Sequence, residues 1–277
     1  MNITHDFHIH TNLSLCAADQ TGTVEGFVES AKVHGLTKLG FANHFWGSEP
    51  GDPEYYKKTR WDPTDYYLVQ NYEHIARIRP ELDAVNEEGI KVYFGAECEY
   101  DPFKKSIAVS KDHVESFDFL IVPNSHTHMM MPQSLYYPYE KHIDFMFDAF
   151  YNIINCEFSA YITSIAHPFC AVCAPYDRNE LSSYITDDRY KKAFDLAANK
   201  GIAIEINVFN ISKEPADDFS IMNEQIRMFK AAKECGCKFT FGSDAHTLSE
   251  HKNYGESVKK MAELLELKED DIADIAK

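Results

Sequence analysis

The chain has 277 residues, 44% of them apolar with 19 Phe and 16 Tyr, enough for a sizeable core, and no uninterrupted apolar stretch near the roughly 18 residues a membrane span needs. Its 27 basic and 44 acidic residues leave a formal charge of −17 with only six arginines, which disfavours nucleic acid as a partner, because binding a long polyanion rests on Lys and Arg at phosphates. Seven cysteines, an odd number with no export signal ahead of them, point to reduced thiols in a cytoplasmic protein, and neither Cys170-Ala-Val-Cys173 nor Cys235-Gly-Cys237 has the second motif of a zinc or redox pair.

The first predicted strand covers residues 3–9 of MNITHDFHIHTN, where alternation places His8 and His10 on one face and Phe7 and Ile9 on the other. A helical stretch, VEGFVESAKVHG (24–35), leads to the strand KLGFAN (38–43). Residues 45–62 read as a long loop that forms a lid or rim. Asp62-Pro63 starts a long second helix running through 66–89, with Asp62 as N-cap and Pro63 at the first helical position. The strands IKVYFGA (90–96), FDFLIVP (117–123) and YITSIA (161–166) follow. Next come the helix YKKAFDLAANKG (190–201), the strand GIAIEIN (201–207), the helix NEQIRMFKAAKECG (223–236) and the strand KFTFGS (238–243). Four helical stretches end at Gly35, Gly89, Gly201 and Gly236, each just before a strand, as a left-handed C-terminal cap prefers. Regular alternation of strand and helix implies a parallel α/β sheet with helices outside, and seven strands favour a closed barrel. No Pro-, Gly- or Ser-rich linker divides the chain, so one domain over 1–277 is expected.

Nearly every predicted strand is followed by a side chain able to ligate a metal: His8 and His10, then His44, Glu97, His126, His167, and Asp244 with His246. In a parallel barrel the carboxyl ends of the strands converge on one rim, where such folds carry their active sites. Taken singly each has a plainer explanation: His8 and His10 as solvated edge-strand residues, His167 before Pro168 as a turn residue, Glu97 as a solvated strand end. Taken together, histidine nitrogens and carboxylate oxygens suit zinc, manganese or iron, and a carboxylate can bridge two ions.

HIHTN (8–12), CAAD (16–19), NH (43–44), GAE (95–97), SH (125–126), AHP (166–168), EIN (205–207) and GSDAH (242–246) resemble, in that order, the polymerase and histidinol phosphatase (PHP) superfamily. The resemblance implies a distorted (β/α)7 barrel of TIM type with a site for two or three divalent transition metal ions (Zn, Mn or Fe). Carried over by position, it implies a first ion on His8, His10, Glu97 and Asp244, and a second on Glu97, His126 and His167. A third would sit on Asp19, His44 and His246, with Cys16 a competitor of Asp19. Asn43 stands where many members have Asp.

The chemistry implied is metal-dependent hydrolysis of a small phosphomonoester, with ions activating water and holding the phosphate oxygens. Glu97 would bridge two ions, Asp244 or a water would protonate the leaving alkoxide, and Arg178, in a loop overhanging the rim, would clamp the phosphate. Chain length makes the histidinol phosphatases of histidine biosynthesis the nearest resemblance, although the loops 45–62 and 127–142 decide the substrate. A nucleotide or sugar phosphate is the alternative substrate. A non-catalytic metal-binding module is opposed by the full ligand set, and an amidohydrolase-like enzyme by the lack of a strand-end lysine. The sequence leaves the oligomeric state open.

Overall fold

The fold is built on a nearly closed barrel of seven parallel strands, seen in a computed structural model that describes residues 1–17, 21–49, 51–85, 89–209 and 223–277. The strands are β1 (His5–Ile9), β2 (Lys38–Phe41), β3 (His44–Phe45), β4 (Lys91–Cys98), β5 (Tyr100–Asp101), β6 (Ser106–Ile107), β7 (Phe119–Pro123), β8 (Ile162–Ala166), β9 (Ala203–Asn207) and β10 (Phe239–Gly242). The sheet runs β1-β2-β4-β7-β8-β9-β10, β3 adds to β4, and β5 with β6 forms a separate antiparallel pair. Beyond the end of β10 the ring is drawn shut on β1: Asp244 N–H donates to His8 C=O (2.8 Å) and His10 N–H to Ala245 C=O (3.0 Å). All seven expected strands are present, differing by a few residues at their ends.

Helices cover the outside because the sequence gives each an apolar stripe. In Tyr139–Asn155 the buried positions Ile143, Met146, Phe147, Phe150, Ile153 and Ile154 follow the three-and-four spacing of a core-facing helix. Part of the expected 127–142 loop is therefore helical, since Thr127–Met130 also forms a short helix. Gly35, Gly89, Gly201 and Gly236 take φ of 68°, 83°, 69° and 78°, the left-handed conformation expected where helices give way to strands. No helix among the described residues is long and apolar enough to cross a membrane.

The expected long helix after Asp62 is broken into Thr64–Val69, Tyr72–Ile75, a 3₁₀ turn at Ala76–Ile78 and Arg79–Val85. It starts after Pro63, and Asp62 Oδ1 accepts from Thr64 N (3.0 Å). The break at Gln70 has a tertiary cause. Fully buried Gln70 accepts from Leu15 N (2.8 Å) and donates to His44 O (2.8 Å), and Asn71 then caps the next helix by accepting from His74 N (3.0 Å). Helical periodicity does not register a glutamine recruited to brace two neighbouring loops. Within 45–62 the expected loop begins on Phe45, the last residue of β3, and contains the helix Pro53–Tyr56, so this rim is partly structured.

The register of β1 against β2 shifts between Asp6 and Ile9. Phe7, expected opposite the histidines, instead packs edge-on to Phe119 (5.1 Å, 86°) and against Tyr93 (5.2 Å). A bulge rotates a strand locally, and here it lets Phe7 join the barrel floor below His8. Gly40 and Gly95 make that floor possible: a Cβ at Gly95 would lie 2.2 Å from the Phe119 ring, and one at Gly40 2.6 Å.

Candidate metal centre

Above the aromatic floor, the strand ends bring eight of the nine expected ligands together. His8 Nε2 and His10 Nε2 are 3.0 Å apart, and each lies 3.5 Å from Glu97 Oε2. Asp244 Oδ1 completes this group, 3.5 Å from His8 Nε2 and 3.3 Å from His10 Nε2. The other oxygen of Glu97, Oε1, faces His167 Nε2 (2.9 Å) and His126 Nε2 (3.5 Å). One fully buried carboxylate thus stands between two sets of histidines. A third group, His10, His44 and His246, has ligand nitrogens within 4.8 Å of one another. Asp19 lies outside the described residues.

The ligands are held by a layer of buried groups that aims their inward nitrogens. Glu205 Oε1 accepts from His8 Nδ1 (2.7 Å) and its Oε2 from His167 N (2.7 Å), so one carboxylate on β9 fixes ligands of β1 and of the loop after β8. Glu99 pairs with His126 Nδ1 (3.0 Å), Ser125 with His167 Nδ1 (2.6 Å), and Ser14 with His10 Nδ1 (3.1 Å). Asn43 in turn accepts from Ser14 Oγ (2.8 Å) and Thr11 N (2.8 Å), so the amide anchors the loop after β1. Fully buried Asp6 ties the seam of the barrel: Oδ1 accepts from His8 N and Ser243 N (3.0 Å each), and Oδ2 from His251 Nε2 (3.1 Å). Such outer groups orient metal-binding imidazoles and set their tautomers. Two ligands also sit on strained backbone, His167 at φ 27° and Asp244 at φ 54°.

Electrostatics confirm a site crowded with both signs. Burial pushes Glu97 upward, but His126, His44 and His8 hold it well below the usual carboxylate range. Glu99 is brought down to about 2, against its burial, by His126 and His44. Burial lowers His8, yet Glu205, Asp244 and Glu97 raise it further than burial depresses it. Even so, Glu97 Oε2 and His44 Nδ1 remain buried without a hydrogen bond, although they lie 2.9 Å apart. Unpartnered buried polar atoms are costly. Ligand atoms of mixed imidazole and carboxylate type, converging with their outer faces already braced, fit divalent transition metals. His8, His10, Glu97 and Asp244 would hold one ion, Glu97 with His126 and His167 a second, and His44 with His246 part of a third.

Arg178 starts the helix Arg178–Ser183 and lines the cavity over this centre, with its guanidinium donating to Cys170 Sγ (3.1 Å). Cys16 also reaches that cavity, where His44 and His246 outweigh desolvation and draw its thiol down to about 6. Sequence reasoning missed Glu99 and used Glu205 only as part of a motif. A signal for both existed in the two-residue spacing: Glu99 stands two places beyond Glu97, just past the end of β4, and Glu205 lies on β9 two places before Asn207, which lines the cavity.

Known proteins place this arrangement. The PHP domain family model matches residues 6–208. The histidinol phosphate phosphatase (HISK) of Lactococcus lactis subsp. lactis, complexed with zinc, L-histidinol and phosphate, is 16% identical with a TM-score of 0.57, covering 94% of each chain. A structure from Listeria monocytogenes, assigned as the histidinol phosphatase hisK, is 13% identical with a TM-score of 0.64 over 89% of this chain and 96% of that one. At these identities the likeness is one of fold. No curated protein sequence matches the chain.

Proposed function

The chain belongs to the PHP domain family and is a metal-dependent phosphoesterase; we propose that it hydrolyses a small phosphomonoester, with L-histidinol phosphate the leading candidate and a nucleotide or sugar phosphate the alternative. The observation that supports this most is Glu97, whose two oxygens face different sets of histidines at one rim. Bound divalent ions would supply positive charge for the phosphate oxygens and lower the pKa of water toward neutrality.

The chain's own residues supply the rest. Glu97 links the two ligand groups and fixes their separation. Asp244, ionised beside His8 and His10, points Oδ2 toward Asn207 Nδ2 (3.3 Å). The water oxygen joins phosphorus as the ester P–O bond breaks, and the proton the water loses reaches the departing alkoxide through solvent, because a carboxylate held so far below its usual range is a poor base at neutral pH. Arg178 binds the phosphate oxygens, giving up its contact with the Cys170 thiol for a stronger anionic partner.

Phosphate release from histidinol phosphate, AMP and a sugar phosphate, each with added zinc or manganese, tests this reading. One of them should turn over, and elemental analysis should find about two to three ions per chain. Fewer than one ion after expression in ample metal sinks the multinuclear site. Arg178→Ala should raise KM roughly tenfold with a smaller effect on kcat; an unchanged KM removes Arg178 from the phosphate site.

A further inference from the structure

The third ligand group differs in kind from the two that share Glu97. His10, His44 and His246 bring one ring nitrogen each within 4.8 Å, but His10 Nε2 already faces Glu97 (3.5 Å) and Asp244 (3.3 Å), so a third ion falls to His44 and His246. His246 is prepared for it. Its Nδ1 donates to Asp244 C=O (2.9 Å), which leaves the lone pair on Nε2. His44, only 7% exposed, keeps Nδ1 buried without a hydrogen bond.

The loop after β1 carries a thiol to these two rings, and the fold holds it there. Ala17 N–H donates to Ser14 C=O (2.9 Å), closing a turn around Cys16. Gln70, the residue that breaks the long helix, accepts from Leu15 N (2.8 Å) through Oε1 and donates through Nε2 to His44 C=O (2.8 Å). One buried side chain thus clamps the neighbour of Cys16 to the backbone of His44. The thiol comes within hydrogen-bonding reach of the His44 and His246 rings, and the Tyr66 hydroxyl donates to Sγ (3.8 Å). All four side chains line the cavity over the metal centre. A sulfur between two ligand imidazoles, backed by an outer donor, is placed as a metal ligand is.

We propose that Cys16 is a ligand of the third ion, its thiolate joining one nitrogen each of His44 and His246, and that this is the zinc-selective position of the centre. Three protein ligands leave a further position to water or substrate, as open zinc sites do. The S–H proton passes to solvent as the sulfur–metal bond forms, so no oxidant or other co-reactant is needed. Thiolate favours zinc over manganese, whereas the imidazole and carboxylate sets around Glu97 suit either. The proposal goes beyond the phosphoesterase reading, since it concerns which metal the chain takes, and it stands whichever ester is cleaved.

Cobalt in place of zinc reads the ligand directly, because a thiolate on Co(II) adds a sulfur-to-metal charge-transfer band in the near ultraviolet that imidazole and carboxylate do not give. The cobalt-loaded protein should show this band. Cys16→Ser should lose it and fall from about three to about two ions per chain, with the circular dichroism of the parent. The zinc affinity of that position should drop by more than the roughly 10- to 100-fold that loss of an outer partner costs, and its preference for zinc over manganese should shrink. Alkylation followed peptide by peptide should find Cys16 protected by zinc and released by a chelator. No band at full cobalt occupancy, a band that survives in Cys16→Ser, or a parent holding no more than about two ions overturns the proposal. A missing band, together with loss of the third ion in Asp19→Ala, gives the position to Asp19 instead.

Discussion

The floor and the rim of the barrel are made by the same strands and obey opposite rules. At the floor, Phe7, Tyr93 and Phe119 interlock where Gly40 and Gly95 carry no side chain. At the rim, only a few residues further along, Glu97 and the histidines crowd charges that their neighbours do not fully satisfy. In β4 the two regimes are two positions apart, Gly95 below and Glu97 above. A close-packed floor has its partners within the chain, whereas the rim has ligand atoms in excess of what protein alone can pair. Stability therefore belongs to the lower layer and chemistry to the upper, and substitutions in each should fail in different ways.

The sharpest contrast is between those two neighbours. Glu97→Gln should cut kcat by at least about 10³-fold while circular dichroism and the denaturation midpoint stay near those of the parent, because it removes the bridging charge and keeps the shape. Near-full activity would require a different ligand assignment. Gly95→Ala should do the reverse. Its new methyl meets the Phe119 ring at a separation no real Cβ shows, so urea denaturation should report a loss of about 3 kcal/mol. An unchanged midpoint would mean the floor is loosely packed.

The floor also has a buried titratable group. His5 is brought down to about 4 by burial, against Asp6 and with Lys38, and its Nε2 accepts from Phe241 N (3.0 Å). Its folded pKa lies below its unfolded value, so the unfolded chain binds the proton more readily. The stabilising contribution is whole above about pH 6.5 and is lost progressively as the pH falls toward 4, about 2 kcal/mol of it by pH 5. His5→Gln keeps an acceptor and should flatten that part of the acid-stability curve; an unaltered slope would place the acid sensitivity at the rim. The smallest effect is expected from Glu99→Gln, which keeps an acceptor for His126 but removes the charge. Metal affinity should fall about tenfold in a chelator competition, with the fold unaffected. No change would make Glu99 a spectator of the centre.

Much of this was legible in the chain because it depends on local geometry. Helix caps at Gly35 and Gly201 report the left-handed turn that only glycine takes without strain, and a ligand such as His44 or His167 just past a strand must lie at the carboxyl rim of a parallel barrel. What escaped was non-local. Gln70 breaks a helix that periodicity would continue, because its side chain is claimed by Leu15 and His44. Phe7 changes face because β1 slips against β2, a pairing that its own alternation does not encode.

The sequence by itself determined the order of strands and helices, the rim on which the ligands gather and their chemical type, since side-chain direction and hydrophobic period act over a few residues. Only the tertiary structure decided which oxygen of Glu97 meets which histidines, and that Glu205, 197 residues along the chain from His8, holds its ring. Those contacts exist because closure brings β10 beside β1 and sets Gly242 so near His8 and Glu205 that a Cβ there would strike both. Closure couples distant segments through backbone hydrogen bonds and packing, and the angle at which imidazoles and carboxylates meet across it follows from the assembled ring.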